Sequence, residues 1–232
     1  MTIYTITYNE EYMLPHFIAH YRKAFSGCNI IVYDNESTDD TVKIALAHGC
    51  QVIPYSTGGK LDDKTYLSIK NNCWKGQKGW VIVCDCDELC DINADYLNFE
   101  LEKGTTIISF TGYNMVNLSD NMDFSDIKHG IRTHSYDKNY CFFAPKITEI
   151  GYNMGCHTSN PIGEAVFSYQ KYVCRHYKYI NPDYMVNRHN VFAKRLSDEN
   201  IARGYGGHYL NSEQDIRSEF QIARSKALKI IL

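Results

Sequence analysis

Four residues, Asp85-Cys86-Asp87-Glu88, place three carboxylates almost side by side. Acids spaced i and i+2 at the end of a strand project to the same side. There they can share a hard divalent cation, Mn²⁺ or Mg²⁺, or divide a cation and a hydroxyl between them. A cation that also touches a diphosphate needs only one or two protein carboxylates, and it neutralises charge on a departing phosphate. Asp-x-Asp alone fits a solvated acidic turn equally well. Here it follows Trp80-Val81-Ile82-Val83-Cys84, a buried-strand run, and acids clustered just behind such a strand mark a site. A second polar run, Asp34-Asn35-Glu36-Ser37-Thr38-Asp39-Asp40-Thr41, follows another strand-like stretch. Helix capping accounts for Ser37, Thr38 and Asp39. It does not account for Asp34, whose carboxylate can accept from a ring N–H or a hydroxyl. A third, Thr7-Tyr8-Asn9-Glu10-Glu11, follows the first strand-like run, Ile3 to Thr7.

The elements that must position these runs alternate. After Ile3–Thr7, residues Leu14, Phe17, Ile18, Tyr21 and Phe25 recur at helical spacing. Asn29 to Asp34 is a strand, and Val42, Ala45 and Leu46 ride a helix stopped by Gly49. Cys50 to Tyr55 reads as a third strand. Asp62 or Asp63 caps a helix with Tyr66, Ile69, Cys73 and Trp74 on one face, and Trp80 to Cys84 is the fourth strand. Such alternation predicts a mostly parallel sheet flanked by helices, in which ligands bind at the carboxyl ends of the strands. All three polar runs fall at such ends. Beyond Thr106–Thr111 the pattern turns to mixed β and loop, and a capping box at Ser212 and Asp215 opens a C-terminal helix. The reading is one α/β domain over 1–232: a binding half at 1–115, a completing half at 116–210 and a helix at 211–232.

Composition narrows the partners. A formal charge of −3 provides no basic field for nucleic acid or an acidic membrane. Nineteen tyrosines suit a polar cleft, although coding bias produces the same excess. Nine cysteines without a Cys-x-x-Cys pair argue against a zinc finger and for free thiols in a reducing, cytoplasmic setting. No stretch has the length of a membrane span, and the first residues lack the pattern of a signal peptide. Neither a dinucleotide fingerprint nor a Walker-type loop is present. The apolar end Ala227 to Leu232 is compatible with a further domain beyond it.

The three runs together, Thr-Tyr-Asn-Glu-Glu, Asp-Asn-Glu-Ser-Thr-Asp-Asp-Thr and Asp-Cys-Asp-Glu, resemble the opening of family 2-type glycosyltransferases with the GT-A fold. The resemblance covers residues 1 to about 115. It implies that Thr7, Tyr8, Asn9, Glu11, Asp34, Lys70, Asp85 and Cys86 contact a nucleotide-sugar, UDP-linked by family habit. It implies Mn²⁺ or Mg²⁺ on Asp85 and Asp87. Asp34-Asn35 stands where the family more often has Asp-Asp, which bears on the nucleobase contacts. Many such enzymes complete the metal site with a downstream histidine. His157 is the first choice and His176, followed by a tyrosine as in a related subgroup, the second. Lys178, Arg188 and Arg195 are unranked candidates for phosphate oxygens. The resemblance implies transfer with inversion to a glycan or other hydroxyl acceptor, which needs a base. Asp120, Asp123, Glu149 and Glu164 are available, with Glu164 preferred. A sugar-phosphate nucleotidyltransferase is the alternative enzyme, disfavoured because the first strand is not followed by a glycine-rich loop. A non-catalytic carbohydrate-binding protein is the third reading, disfavoured by the intact acids.

Overall fold

The computed structural model describes residues 1–119 and 124–230. Asp120 and Asp123 therefore lie outside the described residues. In chain order the elements are β1 (Thr2–Thr7), α1 (Leu14–Ala24), β2 (Asn29–Asp34), α2 (Thr41–Ala47), β3 (Gln51–Pro54), α3 (Asp63–Asn72) and β4 (Trp80–Val83). There follow β5 (Glu88–Asp91), α4 (Ala94–Glu102), β6 (Ile107–Val116), β7 (His129–Arg132), β8 (Cys141–Phe143), β9 (Ile147–Glu149), β10 (Ile162–Gly163) and β11 (Phe167–Tyr179). The chain ends in α5 (Pro182–Arg195), α6 (Asp198–Arg203), α7 (Glu213–Lys226) and β12 (Leu228–Lys229).

The main sheet runs β12-β7-β6-β8-β4-β1-β2-β3, with β11 alongside β6 and β5. β1 pairs in parallel with β2 on one side and β4 on the other, and β3 extends the β2 edge. The connections thus run outward from β1 in both directions. The crevice between the carboxyl ends of β1 and β4 is the topological switch point of the sheet, where ligands bind in such folds. Register puts Thr7 level with Asp34, and Tyr4 level with Val83. All three polar runs therefore emerge on one edge.

Burial explains why the strands form where they do. Val81, Ile82, Ile107 and Phe142 are fully buried, and Phe17 and Tyr21 of α1 pack on the sheet without exposed surface. Strands covered on both faces read as continuous apolar runs, as Trp80–Val83 does. α1 carries Pro15 within its first turn, where no intrahelical N–H is lost.

The second half departs from the mixed β and loop expectation in two places. β11 is thirteen residues long and runs parallel to β6. α5 is a fourteen-residue helix, capped by the Asn181 side chain accepting from Asp183 and Tyr184 N–H, with Pro182 opening its first turn. Both elements deliver residues to the crevice. The nine cysteines are all free. No helix among the described residues is long and apolar enough to cross a membrane.

Candidate functional site

The acidic run is the turn from β4 into β5. Tyr21, buried in α1, fixes it: its hydroxyl donates to the Glu88 carbonyl at 3.1 Å and accepts from Cys90 N–H at 3.1 Å. Cys84 and Cys86 are buried core residues, and burial pushes both thiols well above their ordinary range. They pack and do not offer thiolates.

A cavity of about 480 Å³ opens beside this turn. Of the residues expected at the site, Tyr8, Lys70, Asp85, Cys86, Asp87 and His157 line it. Thr7, Asn9, Glu11 and Asp34 do not. They clip the first two loops together. Asp34 accepts from Thr7 Oγ1 at 3.2 Å and from Ser37 N–H at 3.0 Å. Asn9 Oδ1 accepts from Thr38 N–H at 2.8 Å, and Glu11 accepts from Asp40 N–H at 3.0 Å. These contacts explain the polar spelling of both motifs by loop architecture. Glu164 also lies away from the cavity lining, paired with Lys146 at 2.9 Å on the surface, and Glu149 is paired with Lys75.

Each acid of the run faces a protein cation. Lys70, on the last turn of α3, donates to Asp85 at 2.6 Å. Lys138, buried in the loop before β8, donates to Glu88 at 2.5 Å and lies 4.0 Å from Asp85. Antiparallel pairing of β8 with β4, extended by Val83 N–H on the Tyr140 carbonyl, brings that loop there. Arg188 of α5 bridges Asp87 at 3.2 Å and Glu10 at 2.5 Å. Burial acts to raise the Asp87 carboxyl, but His176 and Arg188 outweigh it and hold Asp87 well below the usual carboxylate range. Lys70 and Lys138 likewise hold Asp85 down against its burial. Burial lifts Glu10 to about 7 even beside Arg188, and its Oε2 is buried without a partner among the described residues.

The histidine that meets the acids is His176. Pairing of β11 with β5 sets it opposite Glu88, and pairing with β6 sets it opposite Asn114. Its Nε2 lies 3.6 Å from Asp87 Oδ2, its Nδ1 lies 2.7 Å from Asn114 Oδ1, and Tyr136 stacks on the ring at 3.9 Å. His157 touches the same Tyr136 edge-on at 5.9 Å, and its Nδ1 is spent on the Ser135 carbonyl at 2.8 Å.

These groups fit a divalent cation. When the ring is neutral and Nδ1–H donates to Asn114, Nε2 presents its lone pair to the Asp87 carboxylate; when the ring is protonated, Nε2–H donates there and holds Asp87 down. Two acceptors facing each other call for a proton or a metal between them. Carboxylate oxygen and imidazole nitrogen are donors that Mn²⁺ accepts. Among the described residues no group of three or more His, Cys, Asp or Glu side chains converges. Asp87 and His176 are the pair that could hold such an ion, with its other positions left to water and phosphate.

Sequence reasoning did not single out Glu10, Lys138 or Tyr136, and left Arg188 unranked. No local signal separates Glu10 from Glu11; the fold does, burying Glu10 and leaving Glu11 exposed. Lys138 has no local signal.

Several solved structures resemble the chain at low identity. A solved structure of S. aureus TarS is 14% identical over 95% of this chain and 42% of that one, with a TM-score of 0.44. Residues 1–349 of S. aureus TarS in complex with UDP-GlcNAc are 15% identical over 97% of this chain and 74% of that one, with a TM-score of 0.45. Glucosyl-3-phosphoglycerate synthase from Mycobacterium tuberculosis, in complex with Mn²⁺, UDP and glucosyl-3-phosphoglycerate, is 20% identical over 49% of this chain and 43% of that one, with a TM-score of 0.34. The chain thus spans less than half of that TarS chain. No curated protein matches it. The central sheet with flanking helices and a C-terminal helix makes the fold GT-A-like. Residues 2–99, from β1 into α4 and including the whole acidic run, match the family described as glycosyl transferase family 2.

Proposed function

We propose that the chain is a metal-dependent glycosyltransferase that moves a sugar from a nucleoside-diphosphate sugar, a UDP-sugar by preference, to a hydroxyl acceptor with inversion. The observation that carries this reading is the cavity at the β1/β4 switch point. There an acidic run from the stretch matched to the family faces four basic side chains from α3, β11, α5 and the loop before β8. Asp87 and His176 would hold Mn²⁺ or Mg²⁺. Bound there, the ion supplies Lewis-acid stabilisation of charge on the leaving diphosphate. Arg188 and Lys70 are positioned to add charge-assisted hydrogen bonds to phosphate oxygens, exchanging their carboxylate partners for the substrate. Lys138 and Asn114 keep Asp85 and His176 in place.

In the transfer itself the acceptor oxygen attacks the anomeric carbon as its bond to the phosphate oxygen breaks. The hydroxyl proton passes to a base. The carboxylates lining the cavity outside the run are Glu10 and Asp63, and burial raises both above their ordinary values. A raised carboxyl is better matched to proton transfer near neutral pH.

The test is a panel of nucleotide-sugars with Mn²⁺, read by thermal shift and by release of nucleoside diphosphate. A bound donor raises the melting temperature by mass action. One donor is expected to stabilise the protein and to be hydrolysed slowly in a metal-dependent way. Asp87→Ala should abolish turnover. Full metal-dependent turnover in Asp87→Ala, or no response to any donor, refutes the assignment.

A further inference from the structure

Arg195, the last residue of α5, is 5% exposed. Its Nε donates to the Gly59 carbonyl at 3.1 Å. Nη1 and Nη2 are both buried and have no hydrogen-bond partner among the described residues. The guanidinium carbon lies 3.2 Å from the centre of the Tyr8 ring. The backbone here is pinned: Leu61 N–H donates to the Arg195 carbonyl at 2.5 Å, and Ser197 N–H donates to the Leu61 carbonyl at 3.3 Å.

A buried guanidinium with two idle nitrogens is costly to maintain, because its donors have left water without replacement. Burial accordingly pulls Arg195 below the ordinary arginine range, against the opposing influence of Tyr66, Tyr8, Tyr55 and Glu36. Tyr8, Glu36 and Tyr55 follow the carboxyl ends of β1, β2 and β3. Tyr8 and Tyr66 line the main cavity. Arg195 is thus packed against the wall of the cavity on the β1–β3 side. The cations that face the acidic run are Lys70, Lys138 and Arg188. A diphosphate has its partners among them, and an uncharged acceptor ring has its partner at Arg195.

We propose that Arg195 is a specificity-determining residue that reads the nucleobase. When the Tyr8 ring turns off the guanidinium, Nη1 and Nη2 donate to a ring carbonyl of the base. The carbonyl it reads is the one at ring position 4, so the site takes uracil and refuses cytosine, which shares the 2-carbonyl but carries an amino donor at position 4. A pocket built to donate rejects a ligand that cannot accept, since its own buried donors stay unpaired. This inference rests on the nucleotide-sugar reading.

The experiment is calorimetric titration of the wild type, Arg195→Met and Arg195→Lys with uridine, UDP and CDP in Mn²⁺, with melting curves to check folding. The wild type is expected to bind UDP at least about tenfold more tightly than CDP, the scale of one charge-assisted hydrogen bond. Arg195→Met should bring UDP and CDP together, and should weaken uridine and UDP by the same factor. Arg195→Lys, which keeps the charge and most of the stem, should retain part of the preference. Equal wild-type binding of UDP and CDP overturns the inference and leaves the nucleotide-sugar reading standing. So does an unchanged ratio in Arg195→Met. A loss confined to UDP, with uridine unaffected, makes Arg195 a phosphate ligand and also overturns it. Absence of binding by either diphosphate removes both readings together.

Discussion

Removal of Lys138 probes how the acidic turn is held. The Lys138 side chain is 3% exposed and its partner Glu88 is 1% exposed, with 2.5 Å between them. Glu88 in turn accepts from the Asp85 backbone N–H at 2.8 Å through its other oxygen. At 2.5 Å and an effective dielectric of about 20, the gross attraction is roughly 6–7 kcal/mol. Much of it repays the desolvation of both ions. Lys138→Met keeps the length of the stem and leaves a buried carboxylate beside Asp85 without its cation. Breaking a buried pair from one side costs about 3–5 kcal/mol. For a chain of this size that lowers the melting temperature by about 6–20 °C. Urea unfolding followed by the fluorescence of Trp74 and Trp80, both buried, reads the change as a shift in midpoint at constant slope. Lys138→Met with Glu88→Gln removes the orphaned charge and should recover more than half of the loss. A single-variant cost under about 1 kcal/mol, below the range for breaking a buried pair, would refute this account of the turn. So would a double variant as unstable as the sum of the two singles.

Three further outcomes are expected. Asn114→Leu frees the His176 ring from its 2.7 Å anchor, and Mn²⁺ affinity, read from the metal dependence of donor hydrolysis, should fall by about 10–100-fold with little change in melting temperature. Gly112→Ala puts a Cβ 2.4 Å from Tyr136 Cβ and 2.6 Å from its backbone carbon. It should destabilise the fold by about 1–3 kcal/mol in urea and disturb the ring stacked on His176. Glu10 carries a raised carboxyl, from 4.5 to about 7 through burial. Between those values the unfolded carboxyl is ionised while the folded one keeps its proton. Its contribution to stability is therefore full at acid pH, falls as pH rises toward about 7, and is flat beyond. Urea midpoints across pH 4.5–8 should show that this slope is lost in Glu10→Gln, and an identical slope in both proteins would exclude Glu10 as its source.

The parallel half of the fold was legible in the sequence because its signals are local. An apolar run of four to six residues, a polar turn and a helical period recur within about thirty residues, and the acids sit at the strand ends. The resemblance carried by the three polar runs points to the same edge of the sheet. Those motifs did not reveal which of their residues face the cavity. Asn9, Glu11 and Asp34 spend their side chains bracing two loops, whereas Glu10, one residue away, turns inward to Arg188.

The helix α5 went unread for a physical reason. Its inward positions Met185, Val186, His189, Phe192 and Arg195 follow helical spacing, but a histidine and an arginine interrupt the apolar stripe. Periodicity measures apolarity, and a helix that lends polar groups to a site loses that signal. The partners of the acidic run were hidden by distance along the chain. Lys138 is 50 residues from Glu88, Asn114 is 62 from His176, and Arg188 is 178 from Glu10. By itself, then, the sequence determined the parallel framework, the edge on which it binds and the acids gathered there. Only the tertiary structure decided which cations and which histidine those acids meet. Strand register and helix docking set these contacts, and both are chosen by burial across the whole core.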